Sequence, residues 1–237
     1  MVGLSGYRFN WRLWLNVAGT LILAALAAII LLGWDGGVIV DNFPPRGVPT
    51  APVPMAGAVQ RGSSVATVGL IVFSDFQCPS CRTFAAEILP TLLAKYVDPG
   101  RVSLAFRYFP IERLNPDALG TAELASCAAS VDRFWPVHNA FFAAPTISDA
   151  REFRLRALGT GLTAEALDGC RRQGLAMNQV KRDVELARSL GVQGTPTTLI
   201  GRLQDGQLRV STSILGSRPL ARYEATINDL LQGRPIK

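Results

Sequence analysis

The chain has 237 residues, a formal net charge of +6, 49% hydrophobic residues and 18% charged ones. That balance excludes a disordered or collagen-like chain, and the length leaves ample room for a core. A single histidine, His138, excludes a multi-histidine metal centre, and four cysteines are too few for a small disulfide-rich scaffold. No long Lys/Arg run argues for a nucleic-acid partner.

The first element is an apolar run of 22 residues, 13–34, in which Asn16 and Thr20 are the only polar side chains. As a helix rising about 1.5 Å per residue it spans a hydrocarbon core of about 30 Å. Arg8 and Arg12 precede it, and Asp35 and Asp41 follow. The excess of positive charge before the span predicts a cytoplasmic N-terminus at 1–12 and an extracytoplasmic remainder. The reading is a single-pass signal-anchor in the cell membrane. A cleaved signal peptide is the alternative, and it would leave a secreted or periplasmic protein. The small residues 24–28 suit a peptidase, but the apolar run continues through Leu32 without a break.

Residues 35–64 hold Pro44, Pro45, Pro49, Pro52 and Pro54, which forbid a helix and favour extended polyproline chain. This segment is expected to be a tether. The remainder, 65–237, reads as one α/β domain. Strands are predicted at 65–76, 102–109, 197–200 and 208–214 from their β-branched and apolar runs. A helix is predicted at 79–97, kinked at Pro90, and a last one from an N-cap at Ser217. A long helical stretch fills about 116–191, with Val180, Val184 and Ala187 on one helical face.

Cys78-Pro79-Ser80-Cys81 stands where the first strand meets the first helix. Pro79 suits the first helical position, which puts Cys78 at the helix N-terminus. There the macrodipole and free N–H groups stabilise a thiolate. Cys81 lies one turn further on the same side, within disulfide reach. Cys78 is therefore the expected attacking sulfur and Cys81 the resolving one. Half of a zinc site is the competing reading, and the ligand count falls short of it because Cys127, Cys170 and His138 are isolated. A purely structural CxxC disulfide is the other competitor.

The second motif is Gly191-Val192-Gln193-Gly194-Thr195-Pro196-Thr197-Thr198. Strand–CxxC–helix followed much later by GVxGTPT entering a strand resembles the thioredoxin superfamily. The helical insertion of about 80 residues narrows this to the DsbA-like thiol:disulfide oxidoreductases, in the membrane-tethered or exported bacterial branch. FSDFQCPSC, FRYFPI, FWPVHNAFF and LGVQGTPT fall in the expected order over about 65–232. The resemblance implies a thioredoxin-like fold with a helical insertion and a cis Thr195-Pro196 bond beside Cys78 that binds extended substrate. It also implies exported polypeptides as substrates and a membrane quinone-linked redox partner.

Two departures stand out. The active-site dipeptide Pro79-Ser80 lacks the histidine that would favour thiolate further. Val72 stands six residues before Cys78, where many thioredoxin-like proteins carry a buried acid. Asp75 and Glu87 are nearby in sequence, and Asp75 reads better as a strand-end or capping residue. Cys127 and Cys170 both fall in the insertion. In an oxidising compartment they are expected to pair as a structural disulfide, with two buried thiols as the alternative. His138, in an aromatic segment, reads as packing in preference to a base near the dithiol.

The expected function is dithiol–disulfide exchange, in the direction of an oxidase acting on exported chains, by a monomer with no metal or organic cofactor. A reductase or isomerase on the same fold, a chaperone-like binding module and a Cu(I) metallochaperone are the rivals.

Overall fold

The structure, a computed structural model, describes residues 48–143 and 149–235. The N-terminus 1–12, the span expected at 13–34 and the first part of the tether lie outside the described residues. Among the described residues, no helix is long and apolar enough to cross a membrane.

The elements in chain order are β1 (Val53–Pro54), β2 (Val59–Arg61), β3 (Val68–Ser74), a helix α1 (79–97) and β4 (Val102–Tyr108). Then come α2 (Ala118–Ala129), α3 (Phe134–Phe142), α4 (Ala150–Gly159), α5 (Ala164–Gln173) and α6 (Leu175–Ser189). The chain closes with β5 (Thr197–Gln204), β6 (Gln207–Leu215) and α7 (Leu220–Leu231). The sheet has six strands in the order β1-β6-β5-β3-β4-β2. β3 runs parallel to β4 and antiparallel to β5. Every residue of β3 and β4 is buried, which explains why their sequences are apolar apart from Ser74, Ser103 and Arg107.

Alternation along β3 divides the core. Val68, Leu70 and Val72 face Phe84, Leu92 and Tyr96 of α1 and Tyr223 and Ile227 of α7. Ile71 and Phe73 point the other way, into a layer with Leu199 and Ala187 of α6. The insertion carries a third core, built on Phe141, Phe153 and Val180, which joins the sheet through Phe76, Phe106 and Tyr108.

The expectation that residues 35–64 are wholly tether is corrected over 53–61. β1 pairs with β6 and β2 with β4, so this segment supplies both edges of the sheet. Val53 and Met55 are buried, and burial of two apolar side chains outweighs a proline-rich composition. Pro54 is tolerated because β1 is an edge strand. The chain is further held by Arg107, whose Nη2 donates to the carbonyls of Pro54 and Ala56 at 2.7 Å. Arg107 Nη1 donates to Asp183 Oδ1 at 2.5 Å, and the other carboxylate oxygen accepts the Tyr108 N–H at 3.1 Å. This buried ion pair fastens α6 of the insertion to β4 and to the β1–β2 connection.

Two local expectations also shift. Pro90 does not merely kink α1. The helix passes through a π turn at Phe84–Ile88, where the Leu89 N–H donates to the Phe84 carbonyl, and a second at Leu93–Val97. The wider turn accommodates a proline that would otherwise clash with the preceding turn. The last helix begins at Leu220 with Pro219 as its N-cap, two residues beyond Ser217, whose N–H donates to Ser80 Oγ.

Candidate active site

The site starts at the end of β3. The Asp75 carboxylate accepts the Gln77 N–H at 2.9 Å through Oδ1 and the Ile111 N–H at 3.0 Å through Oδ2. This folds the chain back at once, and the Cys78 N–H donates to the Asp75 carbonyl at 3.2 Å. Cys78 is then the N-cap of α1, extended at φ −78° and ψ 124°, with Pro79 in the first turn. Its side chain makes no capping hydrogen bond and stands at the helix end where the first N–H groups are free.

The two sulfurs sit in opposite environments. Cys78 is half-buried and Cys81 is fully buried, and both are free thiols. The Cys78 thiol is lowered from 9.0 to about 6. The largest cause is the hydrogen bond from the Cys81 thiol, opposed by burial and supported by Thr195 and the N–H groups of Cys81 and Ser80. Burial pushes the Cys81 thiol well above 9.0, and the neighbouring Cys78 sulfur pushes it further. Its stabilising contacts are the Asp75 N–H, at 3.4 Å from Cys81 Sγ, and the Ser74 hydroxyl. At neutral pH the pair holds a thiolate at the surface and a protonated thiol beneath it.

The Thr195-Pro196 loop faces this dithiol. The bond is cis, and the Thr195 carbonyl oxygen lies 3.3 Å from Cys78 Sγ across 117 positions of sequence. The loop after β6 locks the two halves together. The Gly216 N–H donates to the Pro196 carbonyl at 2.7 Å, and the Ser217 N–H donates to Ser80 Oγ at 3.0 Å. Gly216 turns the chain with φ +77°, a conformation open to glycine. The Ser80 hydroxyl is thus spent on the loop, and it is absent from the contacts that lower the Cys78 pKa.

The remaining candidates fall as follows. Cys127 and Cys170 form a disulfide with Cα atoms 5.7 Å apart, joining α2 to α5. Val72 lies in the core under α1, and Glu87 is exposed. Asp75 folds the turn before Cys78, and its carboxyl pKa is raised because burial outweighs the N–H groups of Ile111 and Gln77. His138 is buried against Phe142, ring centroids 4.9 Å apart, with Phe76, Phe106, Phe134 and Trp135 around it. Burial lowers its imidazole to about 4, so it is neutral. Ser74, Gly216 and Ser217 are the site residues that sequence reasoning missed. Nothing local marks a serine or a glycine as the neighbour of a sulfur in another part of the chain.

Comparison with known proteins agrees with this geometry. The family described as Thioredoxin matches residues 56–209. The chain is 26% identical over 189 residues to a "Probable disulfide bond formation protein D" of Bacillus cereus, covering 76% of this chain and 85% of that protein. Among solved structures it is similar to alpha-DsbA1 of Wolbachia pipientis, with TM-score 0.67, 22% identity and coverage of 76% and 94%. Oxidised BdbD from Bacillus subtilis gives TM-score 0.63, 23% identity and coverage of 78% and 99%.

Proposed function

The chain belongs to the thioredoxin family and is a DsbA-like protein-disulfide oxidoreductase, and on that basis we propose that it acts as an oxidase of exported polypeptides. The observation that carries the direction is the Cys78 thiol, lowered to about 6 at the N-terminus of α1. A stabilised thiolate favours the reduced dithiol, so the disulfide form surrenders its bond readily to a substrate.

The catalytic sequence follows from the two environments. A substrate thiolate attacks Cys78 Sγ of the Cys78–Cys81 disulfide, the more accessible sulfur. The Cys78–Cys81 bond breaks, Cys81 leaves with the electron pair, and a mixed disulfide forms on Cys78. A second substrate thiolate attacks the substrate sulfur of that bond, and the reduced dithiol departs. Thr195 and Pro196 offer their backbone to an extended substrate segment beside the sulfur. Ser80, through Ser217, keeps that loop in register with α1. The Cys127–Cys170 disulfide braces the insertion and stands apart from exchange. The work is placed outside the cell membrane, with a membrane-bound redox partner that reoxidises the dithiol and the segment 13–34 as an anchor.

The test combines trapping with potential. Cys81→Ala is expected to accumulate mixed disulfides on Cys78, and Cys78→Ala to accumulate none. The potential of the pair is expected between about −120 and −230 mV. A value near about −270 mV, with a mainly reduced pair in cells, overturns the oxidase direction in favour of a reductase.

A further inference from the structure

Between the segment 53–61 and the helical insertion lies a cavity of about 370 Å³ that neither Cys78 nor Cys81 lines. Small organic ligands occupy cavities of about 300–1,000 Å³. One wall is Gly57 and Val59, so the cavity exists because this segment docks on β4. Residues of α2, α5 and α6 supply the others, and the Cys127–Cys170 disulfide ties the first two of those helices together. The apolar lining includes Val59, Ala129, Leu175 and Ala176. Leu175 is 67% exposed, which leaves apolar surface at the mouth.

Three features of these walls call for an anionic oxygen. The first is Tyr108. Its ring packs against Phe106 and Phe134, with centroids 5.7 and 6.2 Å away, so the end left for the cavity is the hydroxyl. That hydroxyl is buried and has no hydrogen-bond partner among the described residues, although Ser126 shares its wall. Burial keeps the phenol protonated, so it stands ready to donate. A buried donor without an acceptor is costly, and a ligand oxygen brought into the cavity removes that cost. The second is the start of α6, a helix of 15 residues whose N-cap, Gly174, makes no side-chain cap. Its first-turn N–H groups and the positive end of its dipole favour an anion, and Leu175 and Ala176 of that turn line the cavity. The third is Arg182, among the described residues the one charged side chain on the walls. Its Nη2 donates to Gln179 Oε1 at 2.7 Å, and Gln179 Nε2 donates to the Gly57 carbonyl at 2.5 Å, which ties this part of α6 to the wall formed by the 53–61 segment. The nearby Asp183 carboxylate is already paired with Arg107.

We propose that this cavity is a binding site for a small amphiphilic carboxylate, its head among Tyr108, the N-terminus of α6 and Arg182, and its apolar body against Val59, Ala129 and Leu175. One carboxylate oxygen accepts the Tyr108 O–H, and the other faces the positive charge of Arg182 and the helix end. A cation is disfavoured there, since the charge on the walls and the end of the dipole are both positive. A neutral amide of the same shape keeps the Tyr108 bond and forfeits the charge interactions. Binding makes and breaks no covalent bond, and the site stands whether the protein oxidises or reduces its substrates. The ligand touches the 53–61 segment, α2 and α6 at once, so it stabilises the fold as its concentration rises above Kd.

The test is equilibrium dialysis of 3-phenylpropionate against the full-length protein, with a protein-free blank. Saturable binding of one molecule per chain is expected, with Kd of about 1 mM or tighter for a ligand of this size. The neutral 3-phenylpropionamide should bind about fivefold more weakly, and the cationic 3-phenylpropylamine should not compete. Tyr108→Phe removes only an unpartnered hydroxyl, so it should fold and exchange dithiols normally while binding the acid about tenfold more weakly. Arg182→Gln should weaken the acid by about two- to fivefold and leave the amide unchanged. Ala129→Phe fills the cavity and leaves Tyr108 and Arg182 in place. It should abolish binding, and with it the rise in melting temperature that the acid gives the unaltered protein, and it serves as the second variant if Tyr108→Phe does not fold. No saturable binding of the acid overturns the site. So does equal binding of acid and amine, or an unchanged affinity in folded Tyr108→Phe or folded Ala129→Phe.

Discussion

The pH dependence of the reduced protein follows directly from the Cys78 environment. The thiol falls from 9.0 to about 6, about three units, and at ~1.4 kcal/mol per unit this is worth at most ~4 kcal/mol. Cys78 is half-buried, so solvent screening makes that an upper bound. The lowered pKa belongs to the folded reduced state. Its stabilisation is therefore complete above the ordinary value of 9.0, declines as pH falls through the window, and is gone below about 6. At pH 7 at most about 1.4 kcal/mol remains, one unit's worth. The thiolate fraction there is ~90%, against ~1% for an unperturbed thiol. Cys81 acts oppositely above its ordinary value, since burial keeps it protonated when folded and the unfolded chain ionises it. The comparison is therefore best made between about pH 5 and pH 8.5. The oxidised protein has neither thiol. Urea unfolding of the reduced form should gain stability over the oxidised form across that range, and iodoacetamide should alkylate Cys78 with a midpoint near the lowered value. Cys81→Ala removes the largest cause and should raise that midpoint, while Cys81→Ser keeps a donor and should raise it less. An alkylation midpoint at about 8.5, that of a free cysteine, would refute the reasoning. A midpoint unmoved in Cys81→Ala would transfer the credit to the helix N-terminus.

Other perturbations test the frame that holds the site. Replacing both Cys127 and Cys170 with Ala opens a loop of 43 residues. That should cost up to about 4 kcal/mol by the chain-entropy relation, lower the melting temperature and leave dithiol exchange intact. Asp183→Ala strands Arg107, whose side chain is 4% exposed, as an unpaired buried cation. The expected loss is about 3–5 kcal/mol in urea unfolding, and a double replacement by apolar residues should lose less. Gly201 lies at the register shift between β5 and β6, where an added Cβ would run into the Arg209 carbonyl. Gly201→Ala should destabilise by about 1–3 kcal/mol or more, read as a lower denaturation midpoint. A chain beginning at residue 48 should match the longer protein in stability, while one beginning at 65 loses β1, β2 and the burial of Val53 and Met55. Those two side chains alone are worth about 3–6 kcal/mol. Equal stability of the two truncations would restore the reading of 53–61 as tether.

The chemistry of this chain was largely written in local sequence. A cysteine before a proline at a strand–helix junction becomes a helix N-cap by backbone preference alone, and its partner one turn on follows from helical geometry. The threonine–proline step could be matched to the dithiol by resemblance, although contact across 117 positions is a tertiary fact. The buried strands β3 and β4 were equally legible, because a strand covered on both faces is mostly apolar, even with Arg107 buried in β4. What composition could not convey was where a short segment finds a partner. Residues 53–61 are proline-rich and carry no period, yet they close both edges of the sheet because β4 and β6 offer unpaired backbone groups there. The same holds for polar residues. Arg107 and Asp183, 76 positions apart, and Ser80 and Ser217, 137 apart, are unremarkable as letters. Their meaning arises where the fold removes water, since a buried polar group must find its partner wherever the chain brings one.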